Sequence, residues 1–396
     1  MANLEIYLLL LLAVIAGWAL GFYGSRRRQK RSRNTESIFQ DYFVGLNYLL
    51  NDEPDEAIDT FIKALEINSE TIETHLALGA LLRRRGKVDK AITVHQALLA
   101  RPGLSQEFAD STRIQLAIDY ITAGLLDRAE RLLHEILNEG SAAKWEALQH
   151  LITIYQTEKE WEQAIACSEQ LLDNASFKRD AEIRNSTAHY CCELSEKYIR
   201  ESQLSKGRDL AKKALTFARE NIRATLLLAT IEKNMGNVKS ALKEYQRIAS
   251  NRPEYMDQVV GPLVECFERL GQANEVEDYL RTVSHDHPHS SAVLEIANRV
   301  KQREGLSEAI KYLQTSVANK PNIEELVTLL QFQISNQLPV GVDSLRLFYA
   351  YLQEQLARKP GYRCSHCGYE SRNLYWQCPS CQHWGRNKPV LGGSVE

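Results

Sequence analysis

Small residues recur along the chain in pairs twelve positions apart, each pair set among apolar residues of helical period. Gly45 with Ala57 is followed, 34 positions on, by Gly79 with Ala91. The same frame continues through Ala117/Ala129, Ile152/Ala164, Ser195/Gly207, Ala229/Ala241, Val264/Val276 and Ala297/Ala309. A large residue follows three after the first small position (Tyr48, Leu82, Tyr120, Tyr155, Tyr198, Val300), and another four after the second (Phe61, Leu133, Tyr245, Leu280, Leu313). Two helices can approach closely where both carry small residues, and the large ones then fill the seam with the next pair. The pattern therefore predicts eight stacked helix hairpins. Pro253, Pro288 and Pro321 each stand twelve residues after Ala241, Val276 and Ala309, where a residue that cannot donate the next helical hydrogen bond ends the second helix.

Wider intervals before Ala129 and before Gly207 predict longer loops there. Beyond Asn322 the phase is lost, and ELVTLLQFQISN and the stretch Gly341 to Arg358 read as a degenerate last hairpin and a capping helix. The spacing resembles tetratricopeptide repeats, whose superhelix offers a groove to a peptide or a partner helix. Groove positions that hold Lys and Asn in the carboxylate-clamping subset here hold Leu76, Ala80, Leu226 and Thr230. An apolar or mixed groove is expected, with Leu76, Ala80, Arg83 and Arg84 as candidate partner contacts.

The N-terminus has a different pattern. From Leu4 through Leu10 and Trp18 to Tyr23 the chain is apolar apart from Glu5, long enough for a helix to cross the roughly 30 Å hydrocarbon layer. RRRQKRSR, beginning at Arg26, Arg27 and Arg28, follows it and no basic residue precedes it, so the positive-inside rule places the body in the cytoplasm. A cleaved signal would need a basic segment in front and a small-residue cleavage site behind. The expected organisation is an anchor over 1–24, a basic linker over 25–36, the repeat array over 37–358 and a small module over 359–396. The fold class is all-α with that module appended.

Charge then narrows the function. The first 34 residues hold six basic side chains and one acid, leaving the body with 42 basic against 50 acidic. A mildly acidic body lacks the concentrated Lys/Arg that phosphate backbones require, so no nucleic-acid partner is expected. Cys167, Cys191, Cys192 and Cys266 are scattered through helical sequence and read as small core residues. Cys364 with Cys367 and Cys378 with Cys381 form two Cys-x-x-Cys pairs ten residues apart, the donor set for a tetrahedral all-sulfur site holding one Fe or Zn ion. Gly368 suits the turn of a metal knuckle, and Tyr362, Tyr369, Tyr375, Trp376 and Trp384 are expected to form a small aromatic core around it. The module resembles a shortened rubredoxin or zinc ribbon, so the expected fold is an all-α tetratricopeptide-repeat superhelix with an N-terminal transmembrane helix and a small rubredoxin-like module at the C-terminus.

Other candidate chemistry falls away. His134-Glu135 begins like a zinc-protease motif, but Asn138 stands where the second histidine must be. HDHPH, from His285 to His289, lies in the expected loop around Pro288. Arg83 to Gly86 suits a helix C-terminus. No nucleophile with a base and no phosphate-binding loop is present, and no enzyme activity is expected.

Several strings, AGWALGFYGSRR, DYFVGLNYLLNDEPDEAID, ETHLALGALLRRRGKVDKAITVHQALL, QLAIDYITAGLLDRAE and YRCSHCGY with LYWQCPSCQHW, resemble the lipopolysaccharide assembly protein B family of Gram-negative inner membranes essentially end to end. The resemblance implies a single-pass inner-membrane adaptor that acts with a membrane-bound ATP-dependent metalloprotease to promote turnover of the lipid A deacetylase of the committed step. In that family both anchor and metal module are linked to function, which maps onto Leu4 to Tyr23 and onto the four paired cysteines. Other inner-membrane lipopolysaccharide proteins are implied as partners. A scaffold gathering those enzymes without proteolysis, and an electron-transfer protein with iron held by four cysteines, are the alternatives. Homo-oligomerisation is left open.

Overall fold

A computed structural model describes residues 72–286, 289–319, 322–335 and 342–390, together with Val44 and Tyr48. The apolar run Leu4 to Tyr23, the basic cluster, the Gly45/Ala57 pair, Pro288 and Pro321 lie outside the described residues. Among those described, no helix is long and apolar enough to cross a membrane. The chain divides into two compact units, residues 1–154 and 155–396.

The first unit contains α1 (Ile72–Arg84), α2 (Val88–Leu99), α3 (Gln106–Thr122) and α4 (Leu126–Asn138), and most of α5 (Lys144–Glu158). Gly79 and Ala91 lie on α1 and α2, and Ala117 and Ala129 on α3 and α4, as the hairpin frame requires. The imidazole of His95 occupies the space a Cβ at Gly79 would take, so the glycine sets the approach of α2 to α1. His95 is fully buried, and its Nδ1 pairs with Asp119 Oδ2 on α3 at 2.5 Å. Arg83 on α1 reaches the other Asp119 oxygen, and its second nitrogen donates to Gln115 Oε1 at 2.8 Å. One buried carboxylate thus ties three successive helices.

The second unit contains α6 (Trp161–Asp173), α7 (Ala181–Arg200), α8 (Leu204–Phe217), α9 (Ile222–Asn234) and α10 (Val238–Asn251). A 3-10 turn at Pro253–Tyr255 leads into α11 (Met256–Arg269), α12 (Glu275–Asp286), α13 (Ser290–Glu304) and α14 (Leu306–Asn319), and α15 (Ile323–Ser335) and α16 (Val342–Arg358) follow. Its core runs through the small pairs and their large partners, with Ala229, Ala241, Tyr245, Leu280, Ala297 and Leu313 all at 1% exposure or less. The first helix of most hairpins closes with an N–H donating to the carbonyl five residues back, as in Leu125 to Tyr120, Glu160 to Tyr155 and Gln203 to Tyr198. That closure needs a left-handed residue; Gly124 supplies it in one hairpin, whereas Lys159 and Ser202 take it at φ 61°.

The wide interval before Gly207 does not go wholly into a loop. Much of it extends α7, which has 20 residues where α6 has 13. Asp180 makes this possible by capping the added turns, its carboxylate accepting the Glu182 and Ile183 backbone N–H groups. Cys167, Cys191, Cys192 and Cys266 are buried in helices. His134 is half-exposed beside Glu130 on α4.

Asp119→Ala would leave Arg83 and His95 facing a buried void, and breaking a buried ion pair from one side costs about 3–5 kcal/mol. Denaturant unfolding followed on the first unit should show a correspondingly lower midpoint, and an unchanged midpoint would show that the tie carries no stability.

Candidate metal centre

After α16 the chain forms a three-stranded antiparallel sheet of β1 (Tyr362–Cys364), β2 (Glu370–Ser371) and β3 (Asn387–Pro389), in the order β2-β1-β3. Two knuckles hang from it. In the first, Cys364 N donates to Tyr369 O and Gly368 N to Cys364 O. The second repeats the plan, with Cys378 N donating to His383 O and Gln382 N to Cys378 O. Gly368 turns the first at φ 77°, and Gln382 adopts the same left-handed conformation in the second at φ 58°. The knuckles face each other, and the imidazoles of His366 and His383 stack between them with centroids 3.8 Å apart.

All four sulfurs lie within 4.8 Å of one another. Cys364 Sγ is 3.8 Å from Cys381 Sγ, and Cys367 Sγ is 3.6 Å from Cys378 Sγ. The edge of an all-sulfur tetrahedron with metal–sulfur bonds of about 2.3 Å is about 3.8 Å, so the spacing fits one ion and is far too long for disulfides. Cys364 and Cys378 are buried, Cys381 half-buried and Cys367 exposed. The Tyr369 backbone N–H, with the neighbouring thiols, brings Cys367 down to about 6. At Cys381 the His383 backbone N–H works in the same direction, but burial and the other thiols hold it up at about 12. Four sulfurs this close ionise together only with a cation among them. Asn387, directly opposite Cys364 in the β1–β3 register and 1% exposed, has no hydrogen-bond partner for either amide atom among the described residues. Opposed side chains share a face of the sheet, so an amide donor stands beside sulfurs that would carry negative charge with an ion among them.

The expected aromatic core around the cysteines is not what forms. Tyr369 and Tyr375 are exposed, and both tryptophans leave the module to pack on the helices of the second unit. Trp384, 6% exposed, stacks on His189 at 5.2 Å and meets Trp161 and Tyr190 edge-on at 6.2 and 5.8 Å. Its indole N–H donates to Gln156 Oε1 at 3.1 Å, an oxygen that also accepts the Tyr190 hydroxyl at 2.7 Å. Trp376 stacks on Tyr255 at 6.4 Å, and the Arg223 guanidinium lies 6.0 Å from its ring centroid. Tyr362 accepts from Gln258 through its hydroxyl, and Asn185 donates to the Trp384 carbonyl. A forty-residue module has too little interior to bury two tryptophans, and the array supplies the missing surface.

Burial and nearby carboxylates oppose each other in the electrostatics of this seam. Arg223 is 3% exposed; burial works against its charge, and the Glu196 and Glu193 carboxylates more than offset that. Asn221 caps α9 by accepting the Ala224 N–H, which turns its amide nitrogen toward His189 Nε2 at 3.3 Å. That nitrogen is then an acceptor and the proton sits on Nδ1. Burial, helped by Arg223, pushes His189 down to about 3, so a neutral ring stacks on Trp384. A cleft of about 350 Å³ opens beside it between the first turns of α7 and α9 and the residues Arg386, just before β3, and Lys388 within it.

Of the candidate groove residues on α1, Leu76, Ala80 and Arg83 are half-buried and Arg84 is exposed. Arg83 is held by Asp119 and Gln115 and is withdrawn from any partner. The docking residues Gln156, Trp161, His189, Arg223 and Tyr255 have no motif; the one trace of them is the lengthened interval that becomes the extra turns of α7.

Residues 362–386 match the family described as "Rubredoxin metal binding domain", and residues 74–106 match "Tetratricopeptide repeat". The chain is 31% identical over 391 residues to Lipopolysaccharide assembly protein B of Escherichia coli strain K12, covering 98% of each. It is 33% identical over 395 residues to the protein of that name from Haemophilus influenzae, covering 97% of this chain and 98% of that one. Among solved structures, a tetratricopeptide repeat protein from Parabacteroides merdae aligns with 67% of this chain and 99% of its own at 15% identity and a TM-score of 0.34.

Replacing Cys364 or Cys378 with Ser should take the bound metal from one ion per chain toward none, read by elemental analysis of the purified protein. A second outcome concerns pH. Unfolded His189 titrates near its ordinary 6.5 and folded His189 near 3, so protons favour the unfolded side and stability falls as pH drops from about 6.5 toward 3. His189→Gln should lose less stability than the unaltered chain between about pH 7.5 and 5.5, measured as denaturation midpoints.

Proposed function

The chain belongs to the lipopolysaccharide assembly protein B family, and from that premise we propose that it is a non-catalytic inner-membrane adaptor. It regulates lipopolysaccharide synthesis by bringing the committed-step lipid A deacetylase to a membrane-bound ATP-dependent metalloprotease. The observation that supports this reading is the four-cysteine cluster: its sulfurs all lie within 4.8 Å of one another, a donor set that with one ion bound would leave no open position for a substrate. Bound there, an Fe or Zn ion supplies structural cross-linking of the two knuckles. The protein's own residues do the rest, with the helix array presenting a face for partners and Leu76, Ala80 and Arg84 contributing to it on α1.

In this reading Leu4 to Tyr23, with Leu10 and Trp18 along it, spans the inner membrane, and Arg26, Arg27 and Arg28 keep the array on the cytoplasmic side. Tethering raises the concentration of the array beside its membrane partners without adding a contact. Other inner-membrane lipopolysaccharide proteins are further partners.

Depleting the protein should lengthen the half-life of the deacetylase, followed by immunoblot after synthesis is stopped. An unchanged half-life would remove the adaptor reading and leave a scaffold that gathers the enzymes without proteolysis. Deleting residues 1–24 should abolish the regulation while the helical content of the array stays the same.

A further inference from the structure

The two tryptophans that leave the module share one hairpin. Residues 376–385 fold back on themselves, with Gly385 N donating to Trp376 O at 2.7 Å, Gln377 bridging Trp384, and Cys378 N donating to His383 O at 3.0 Å. At its closed end sit Cys378 and Cys381, and at its open end Trp376 and Trp384. A ten-residue two-stranded hairpin is marginal in water by itself, and the module around it is too small to supply a core. The spacing of the two rings therefore depends on what holds the cysteines.

The surfaces that receive the rings come from four consecutive hairpins. Gln156 and Trp161 belong to α5 and α6, and His189 and Tyr190 to α7; Arg223 lies on α9, and Tyr255 leads into α11. Helix-repeat arrays are coupled mainly between nearest neighbours and open locally. A body that grips four hairpins at once adds coupling that the array lacks. Close fit makes this grip specific: a Cβ at Gly385, which turns at φ 64°, would stand 2.9 Å from His189 Nε2.

We infer that the state of the four-cysteine centre is transmitted into the array through Trp376 and Trp384: with the knuckles closed the two rings splint α7, α9 and the start of α11, and with the knuckles open these segments loosen. This goes beyond the adaptor reading and stands whatever the partners are. Coupling between two equilibria is reciprocal, so the docked array also strengthens metal retention, by the same factor. Anything that binds the face beneath the module competes with the metal. Trp376 and Trp384 are positioning residues: they touch the array and act on the centre through the hairpin.

Hydrogen exchange read by mass spectrometry on the full-length chain in detergent tests this, comparing protein loaded with Zn²⁺ and the same protein stripped with a chelator. Stripping should speed exchange in peptides covering 183–192 and 221–230 by roughly tenfold or more, with 106–138 unchanged and protection restored on re-adding Zn²⁺. Zn²⁺-loaded Trp384→Ala should show faster exchange in the same two segments and yield its metal at a lower chelator concentration. Stripping that loosens only 362–390, or a Trp384→Ala chain that holds Zn²⁺ as tightly as the unaltered one, would overturn the coupling. Failure of the metal reading itself shows separately, as an unaltered chain that takes up no Zn²⁺.

Discussion

A helix hairpin buries only one face against its own partner, so none of these hairpins is stable except against the next one. Most of the interior follows from that constraint. Small residues at Gly79, Ala117, Ala229 and Ala297 let helices close on each other, and Leu133, Tyr245, Leu280 and Leu313 fill the seams that result. Because each interface is local, the array is strong along its length only as far as neighbours hold each other.

Polar ties reinforce selected interfaces. Asp119 gathers Arg83 and His95 from two preceding helices, and Arg223 joins α9 to α7 through Glu193 and Glu196. Such buried pairs contribute little net energy compared with apolar residues of equal size but are costly to leave half-made, which favours one arrangement of helices over its near alternatives. Arg83 illustrates the consequence for function: a cation at a groove-type position is not free to recognise an acidic partner once a buried carboxylate claims it.

The metal module solves a different problem. It has a closed donor set and two knuckles of one design, but its tryptophans find no interior within it. They find one on the array, where Trp384 is as buried as a core residue. A module that by composition is a separate domain is by packing a part of the second unit, and side chains at one end of the sequence rest on helices that lie well over a hundred residues earlier.

Features that rest on repeated spacing between near neighbours were legible in the sequence. The helix pairs of the described repeats fall where the spacing of small residues puts them, and the four cysteines converge because each Cys-x-x-Cys knuckle is a local turn. Membership of the family was also legible, from strings such as ETHLALGALLRRRGKVDKAITVHQALL. What depends on surfaces distant in the chain became visible only in the folded molecule: that Arg83 turns inward, and that Trp376 and Trp384 leave their own module for His189, Tyr190 and Tyr255. Periodicity reports which face of a helix is apolar, but a tryptophan's burial depends on which other surface can accept it, and no local pattern carries that information.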